Sequence, residues 1–174
     1  MRQIALKYGI IGGIVIALPM FIIIPNIDSI GFEKGVTILF TTMIFSFLAV
    51  YLGIGANRKK LGRGNIGFRS AFITGILITV IISTFYVASS LLLFYKITPD
   101  FLDKYSTFSL NQMKANHPTQ GQINEYIKNY EESKKQGSFI IAAMMFMKPL
   151  TFGLFFTLSS SLILRKKEFT PRLN

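Results

Sequence analysis

Cysteine and tryptophan are absent from this chain, histidine occurs once, at His117, and eight acidic residues stand against nineteen basic ones. Each shortage excludes something. Without cysteine there can be no disulfide and no thiolate metal site, although this says nothing about compartment. A single histidine in a polar connection, with no H-E-x-x-H and no G-x-S-x-G, leaves no metalloprotease or serine-hydrolase motif. None of the acids falls within an apolar run, so the embedded carboxylate or histidine used in proton-coupled transport is missing as well. No catalytic residue, cofactor or metal is therefore expected.

What the chain has in quantity is uninterrupted apolar sequence. Four runs stand out, at 8–25, 36–56, 70–95 and 138–164, in a chain of 174 residues that is 51% hydrophobic. About 20 apolar residues cross the ~30 Å hydrocarbon layer as a helix. The runs lack the in–out alternation of a membrane barrel, and helices satisfy their own backbone hydrogen bonds, so four spanning helices are expected. The first run has a basic start and an apolar core, as a signal peptide does. It lacks a small-residue cleavage site, and the expectation is an uncleaved first helix.

The basic residues set the topology. Arg58, Lys59, Lys60, Arg63 and Arg69 fill the connection at 57–69, where no acid accompanies them. Arg165, Lys166, Lys167 and Arg172 follow the last span beside Glu168, and Arg2 and Lys7 precede the first. If the spans alternate, these eleven fall on one side with one acid, and seven lysines fall on the other with seven acids. The excess of Lys and Arg predicts that both termini are cytoplasmic, in the inner membrane of a cell. The same residues would rest on anionic lipid headgroups. No recognition fold accompanies the charge, so nucleic acid is not an expected partner. The stretch GRGNIG at 62–67 follows no strand and lacks the Gly-Lys-Ser/Thr ending of a P-loop; it reads as a basic turn on headgroups.

Small residues recur every four positions at Gly9, Gly13 and Ala17, again at Ala49 and Gly53, and as Ala71, Gly75, Thr79 and Ser83 in the third run. That spacing aligns them on one helix face and permits close approach of a neighbour. Between the third and fourth runs lies the largest polar segment, 96–137. Pro99 with Asp100 and Asp103 marks a helix start, and His117-Pro118 marks a stop. Ile123, Tyr126, Ile127 and Tyr130 then trace a second amphipathic face, so a helical hairpin outside the membrane is expected.

The last run carries one charge, Lys148, followed by Pro149. Counting about 20 residues back from Leu164 puts the hydrocarbon edge near Met145, so Lys148 lies about one turn below the outer surface. Three readings follow. Lys148 is a snorkelling lysine that pairs with an outer acid (Asp28, Glu33, Asp100 or Asp103), a site for an anion or lipid headgroup, or the charge of a transport cavity with Tyr86, Thr79 and Ser83.

The order KYGIIGGI, NIGFRSAFITG, TFYVASSLLLFY, TPDFLDKY, MKPLTFGL and ILRKK resembles the DUF4199 family, small four-span membrane proteins common in Bacteroidetes-type bacteria. The resemblance extends over nearly the whole chain and is most specific at IGFRSAF (66–72) and PDFLDKY (99–105). It implies the topology and an inner-membrane address, with no assigned activity and no catalytic residues. The expected fold is an all-α integral membrane protein, a four-transmembrane-helix bundle with an extracytoplasmic amphipathic helical hairpin between helices 3 and 4. Its domain plan is one membrane domain, with the tail at 165–174 cytoplasmic. The expected function is that of a non-enzymatic accessory or assembly component binding lipid, another copy of itself or another membrane protein. The alternative is a small oligomeric transporter or channel with a cavity near Lys148.

Overall fold

The computed structural model describes residues 1–60, 65–135 and 138–165, with the backbone alone at 138–140. The described residues are all-helical: α1 (Arg2–Ile23), α2 (Ile27–Ile30), α3 (Phe32–Lys60), α4 (Phe68–Leu92, continued by a π-helical turn Leu93–Ile97), α5 (Phe101–Ala115), α6 (Gln120–Lys135) and α7 (Ser138–Leu164). Four of these, α1, α3, α4 and α7, are long and apolar enough to cross a membrane.

Helix α3 outruns its apolar run at 36–56 for a simple reason. At 1.5 Å per residue the 29 residues of α3 extend about 43 Å, beyond a ~30 Å apolar layer, and its surplus turns are the polar ones, Glu33-Lys34 and Arg58–Lys60. Pro19 lies inside α1, which continues through it to Ile23. Between α1 and α3 the chain reverses in one short turn. It closes at Gly31, whose φ of 88° suits a residue without a Cβ. At its far end α4 widens into the π turn, where the Thr98 amide donates to the Leu93 carbonyl at 2.7 Å ahead of Pro99.

α4 is the central helix and packs on α1, α3 and α7, while α3 also touches α1 and α7. Glycines set these approaches. A Cβ built on Gly9 would lie 2.8 Å from Ile81, one on Gly12 2.6 Å from Ile82, and one on Gly13 2.5 Å from Phe85. The small face anticipated in the first run is thus the α1–α4 contact, with Gly12 added toward α3. There Ser46 Oγ donates to the Gly12 carbonyl at 2.7 Å. Gly53 faces Ile78 and Tyr8 across α3, α4 and α1. Since lipid tails are as apolar as leucine, close packing and buried hydrogen bonds hold such helices together more than burial from water does.

One apolar core runs through the four long helices around Phe47, Val50, Ile54, Ile78 and Ile82. A second, toward the end where α1 gives way to α2, gathers Met20, Ile23, Ile24, Ile27, Leu93 and Phe101. Phe32 stacks on Phe108 with centroids 5.2 Å apart and also approaches Phe101 and Tyr105, so α5 is seated on the start of α3 by aromatic rings. α6 touches α5 but buries none of its own residues.

Candidate functional site

The start of α1, the end of α3, the start of α4 and the end of α7 share one end of the molecule. Arg2, Lys7, Arg58, Lys59, Lys60, Arg69 and Arg165 collect there, with no acid among the described residues of these helix ends. The end of α3 is anchored from within. Asn57, 1% exposed, donates from Nδ2 to Thr74 Oγ1 at 2.7 Å, and Thr74 donates on to the Ser70 carbonyl at 2.8 Å. This bond ties α3 to α4 and holds the backbone that presents Arg58, Lys59 and Lys60.

Beside that turn lies a groove of about 490 Å³. Tyr8 of α1, Leu164 of α7 and the α3 face from Tyr51 to Lys59 line it. Its wall is apolar and aromatic, its rim carries Arg58 and Lys59, and its volume depends on a missing side chain: nothing lies within 4 Å of a Cβ built on Gly55. Lys7 reaches over the Tyr8 ring at 6.0 Å from its centroid, adding a cation beside the groove. Apolar walls under a cationic rim match a molecule with an anionic head and a hydrocarbon body. Of the predicted headgroup residues, Arg58 is half-buried and lines the groove, Lys59 lines it and is exposed, and Lys60 and Arg69 are exposed nearby. Arg63 lies outside the described residues, as do Lys166, Lys167 and Arg172 of the tail.

The other four predicted residues occupy different surroundings. Thr79 and Ser83 are fully buried in α4. Thr79 Oγ1 lies 3.2 Å from Thr157 Oγ1 of α7 in a buried hydroxyl pair. A Cβ on Gly75 would sit 2.6 Å from Thr157, and one on Gly153 would collide with Thr79 and Phe47. The Ala71–Gly75–Thr79 face is therefore filled by α7. Ser83 Oγ has no hydrogen-bond partner among the described residues. Tyr86 is half-buried and packs against both cores. Lys148 is exposed on α7 and makes no hydrogen bond or ion pair among the described residues, whereas Pro149 beside it is buried. Neither the groove nor the second cavity below is lined by Lys148, Tyr86, Thr79 or Ser83.

At the opposite end acids and lysines are equal in number, and several of them are paired. Lys104 of α5 bridges Asp28 of α2 at 2.6 Å and Asp100 at 2.8 Å. Asp103 accepts from Tyr130 Oη at 2.8 Å and from Lys134, both on α6. The hydrogen bond from Lys104 lowers the Asp100 carboxyl, and the bonds from Lys134 and then Tyr130 lower that of Asp103. The bonds to Asp100 and then Asp28 raise the Lys104 ammonium. Burial, followed by the hydrogen bond to Asp103, raises the Tyr130 phenol. An open depression of about 430 Å³ beside Phe32 and Phe108 takes its rim from Asp103 and Lys104.

Sequence reasoning missed Asn57 and the groove. Asn57 begins a basic stretch and reads as the first loop residue, but α3 continues past it to Lys60 and its side chain bonds Thr74, seventeen residues on. Tyr8, Tyr51 and Leu164 are distant in sequence and meet only in the fold.

Four long apolar helices packed through glycines and hydroxyls, with every charge but that of Lys148 near or beyond their ends, define a small multi-pass helical membrane protein. The chain belongs to the DUF4199 family, described as protein of unknown function, whose profile matches residues 7–166. No curated protein and no solved structure matches the chain.

Proposed function

We propose that this protein is a non-enzymatic accessory component of the inner membrane that binds anionic phospholipid at its basic end. In this reading both termini are cytoplasmic, and α5 with α6 forms an extracytoplasmic helical hairpin. The groove carries the proposal: an apolar, tyrosine-lined wall about as large as part of a lipid chain requires, topped by Arg58 and Lys59. A phosphate held at that rim lets its acyl chains follow Leu52 and Leu164 into the hydrocarbon layer. The imbalance of Lys and Arg between the two ends supports the orientation. The filled α4–α7 seam around Thr79 favours this reading over a transport cavity.

The test uses the full-length chain in vesicles of dioleoylphosphatidylcholine containing dioleoylphosphatidylglycerol, with bound lipid read by native mass spectrometry. Each basic residue near an anionic surface contributes about 1 kcal/mol, so the double variant Lys59→Gln/Lys60→Gln is expected to retain phosphatidylglycerol roughly thirtyfold less well. The control Lys114→Gln, on α5 at the opposite end, should retain it as the parent does. Equal retention by all three proteins would remove the groove as a lipid site.

A further inference from the structure

Lys148 is the only charged residue in the four apolar runs. Its side is set by its neighbour: Pro149 is buried against the molecule, so Lys148 faces outward. Packing also sets its depth. Ser46 is the middle residue of α3 and bonds Gly12 of α1; Gly12 meets Ile82, near the middle of α4. Phe47, next to Ser46, meets Gly153, which therefore lies close to the middle level of the bundle. Lys148 lies five residues from Gly153 toward the α5 end, about 7–8 Å along the helix. With half the hydrocarbon layer at about 15 Å, the Lys148 backbone stands about halfway between the centre and the edge. This is deeper than counting back from Leu164 suggests.

A cation at that depth needs an anion. No acidic residue lies within any of the four apolar runs, so neither this chain nor a second copy has a carboxylate at the same level. Glu33, thirteen residues above Ser46, stands about 20 Å from the centre, past the hydrocarbon edge. The phosphates of the surrounding lipid lie at that edge, and the lysine stem can extend toward them. The local surface suits a lipid chain. One turn below Lys148, Phe152 meets Phe40 of α3 edge-on with centroids 5.8 Å apart, and Thr37 lies exposed one turn above Phe40.

We propose that Lys148 is a phospholipid-anchoring site. Its ammonium binds the phosphate of a lipid in the leaflet on the α5–α6 side, and the lipid's chains lie over the Phe40–Phe152 edge between α3 and α7. Because the backbone is deep, the bound phosphate is drawn inward and the leaflet is thinned at this face. The site is independent of the groove at the basic end and lies in the other leaflet.

Solid-state NMR of the full-length chain with nitrogen-15-labelled lysine, in bilayers of dioleoylphosphatidylcholine and dioleoylphosphatidylglycerol, tests this directly. The Lys148 Nζ signal is the one lost in Lys148→Met, or in Lys148→Arg should the methionine variant not insert. The expected result is dephasing of that signal by lipid phosphorus, with weaker dephasing in longer-chain dierucoyl lipid, where the phosphate must travel further inward. Absence of phosphorus dephasing in dioleoyl bilayers would overturn the site. Dephasing by carbon-13-labelled carboxylates instead would overturn it in favour of a protein partner.

Discussion

Hydroxyls and glycines on the α4–α7 seam show how single residues act where water is absent. Thr79 and Thr157 form a buried pair 3.2 Å apart, so removing one hydroxyl strands the other. A double-mutant cycle with Thr79→Val and Thr157→Val should give a coupling energy of about 0.6 kcal/mol, typical of buried hydrogen bonds between membrane helices. The double variant should be nearer the parent than the sum of the singles, as measured by unfolding in mixed micelles; strict additivity would count against the bond. Gly75 works by its size. Gly75→Ala places a Cβ 2.6 Å from Thr157 Cγ2 and 2.9 Å from its Oγ1. Its expected cost is about 1–3 kcal/mol, with the same unfolding assay as the check. A loss within error of zero would mean that α7 moves off α4 freely.

At the scale of elements, α5 and α6 depend on attachments unlike those of the long helices. Aromatic rings seat α5 on α3, and exposed ion pairs connect α2 to α5 and α5 to α6. Such pairs are individually weak and are screened by salt. Their pH dependence has a definite sign. The Asp100 and Asp103 carboxyls sit below their ordinary value, so their contribution is complete above the usual carboxylate pKa of about 4 and disappears as the pH falls through the lowered values. The raised Lys104 contributes fully below its ordinary value of about 10.4 and loses its contribution as the pH rises through the raised one. Amide exchange, corrected for intrinsic rate, should therefore quicken in α6 on acidification below about pH 4 while α4 stays protected. Asp103→Asn should speed exchange in α6 at neutral pH and flatten this acid dependence. An unchanged acid response in that variant would place the linkage elsewhere.

For the whole molecule, the orientation proposed from charge has a direct measurement, because the parent chain contains no cysteine. Gln120→Cys, at the exposed start of α6, should react with a membrane-impermeant maleimide added outside intact cells. Asn65→Cys, exposed before α4, should react only after the cells are opened. The reverse pattern would invert the topology. Four apolar helices and the all-helical architecture of the described residues were legible from run length, and family membership from motifs such as IGFRSAF and PDFLDKY. That small residues share a face was legible where the spacing was strict, as for Gly9 and Gly13; that the face meets α4 was not. Asn57 was not legible, since a polar residue beside three basic ones carries no local sign that it will be buried.

The sequence by itself determined that these runs are long and apolar enough to cross a membrane, that basic residues without acidic partners gather in alternate connections, and that Lys148 stands alone among apolar residues. Those properties depend on run length and residue type, which a linear chain displays. Tertiary structure decided that Thr79 meets Thr157, that Tyr8 and Leu164 share a groove with the end of α3, and that Lys148 faces outward without a protein partner among the described residues. The physical reason is that helical periodicity determines which residues share a face of one helix, whereas the neighbour that covers the face depends on crossings between helices. Those crossings are set by where glycines let two backbones approach.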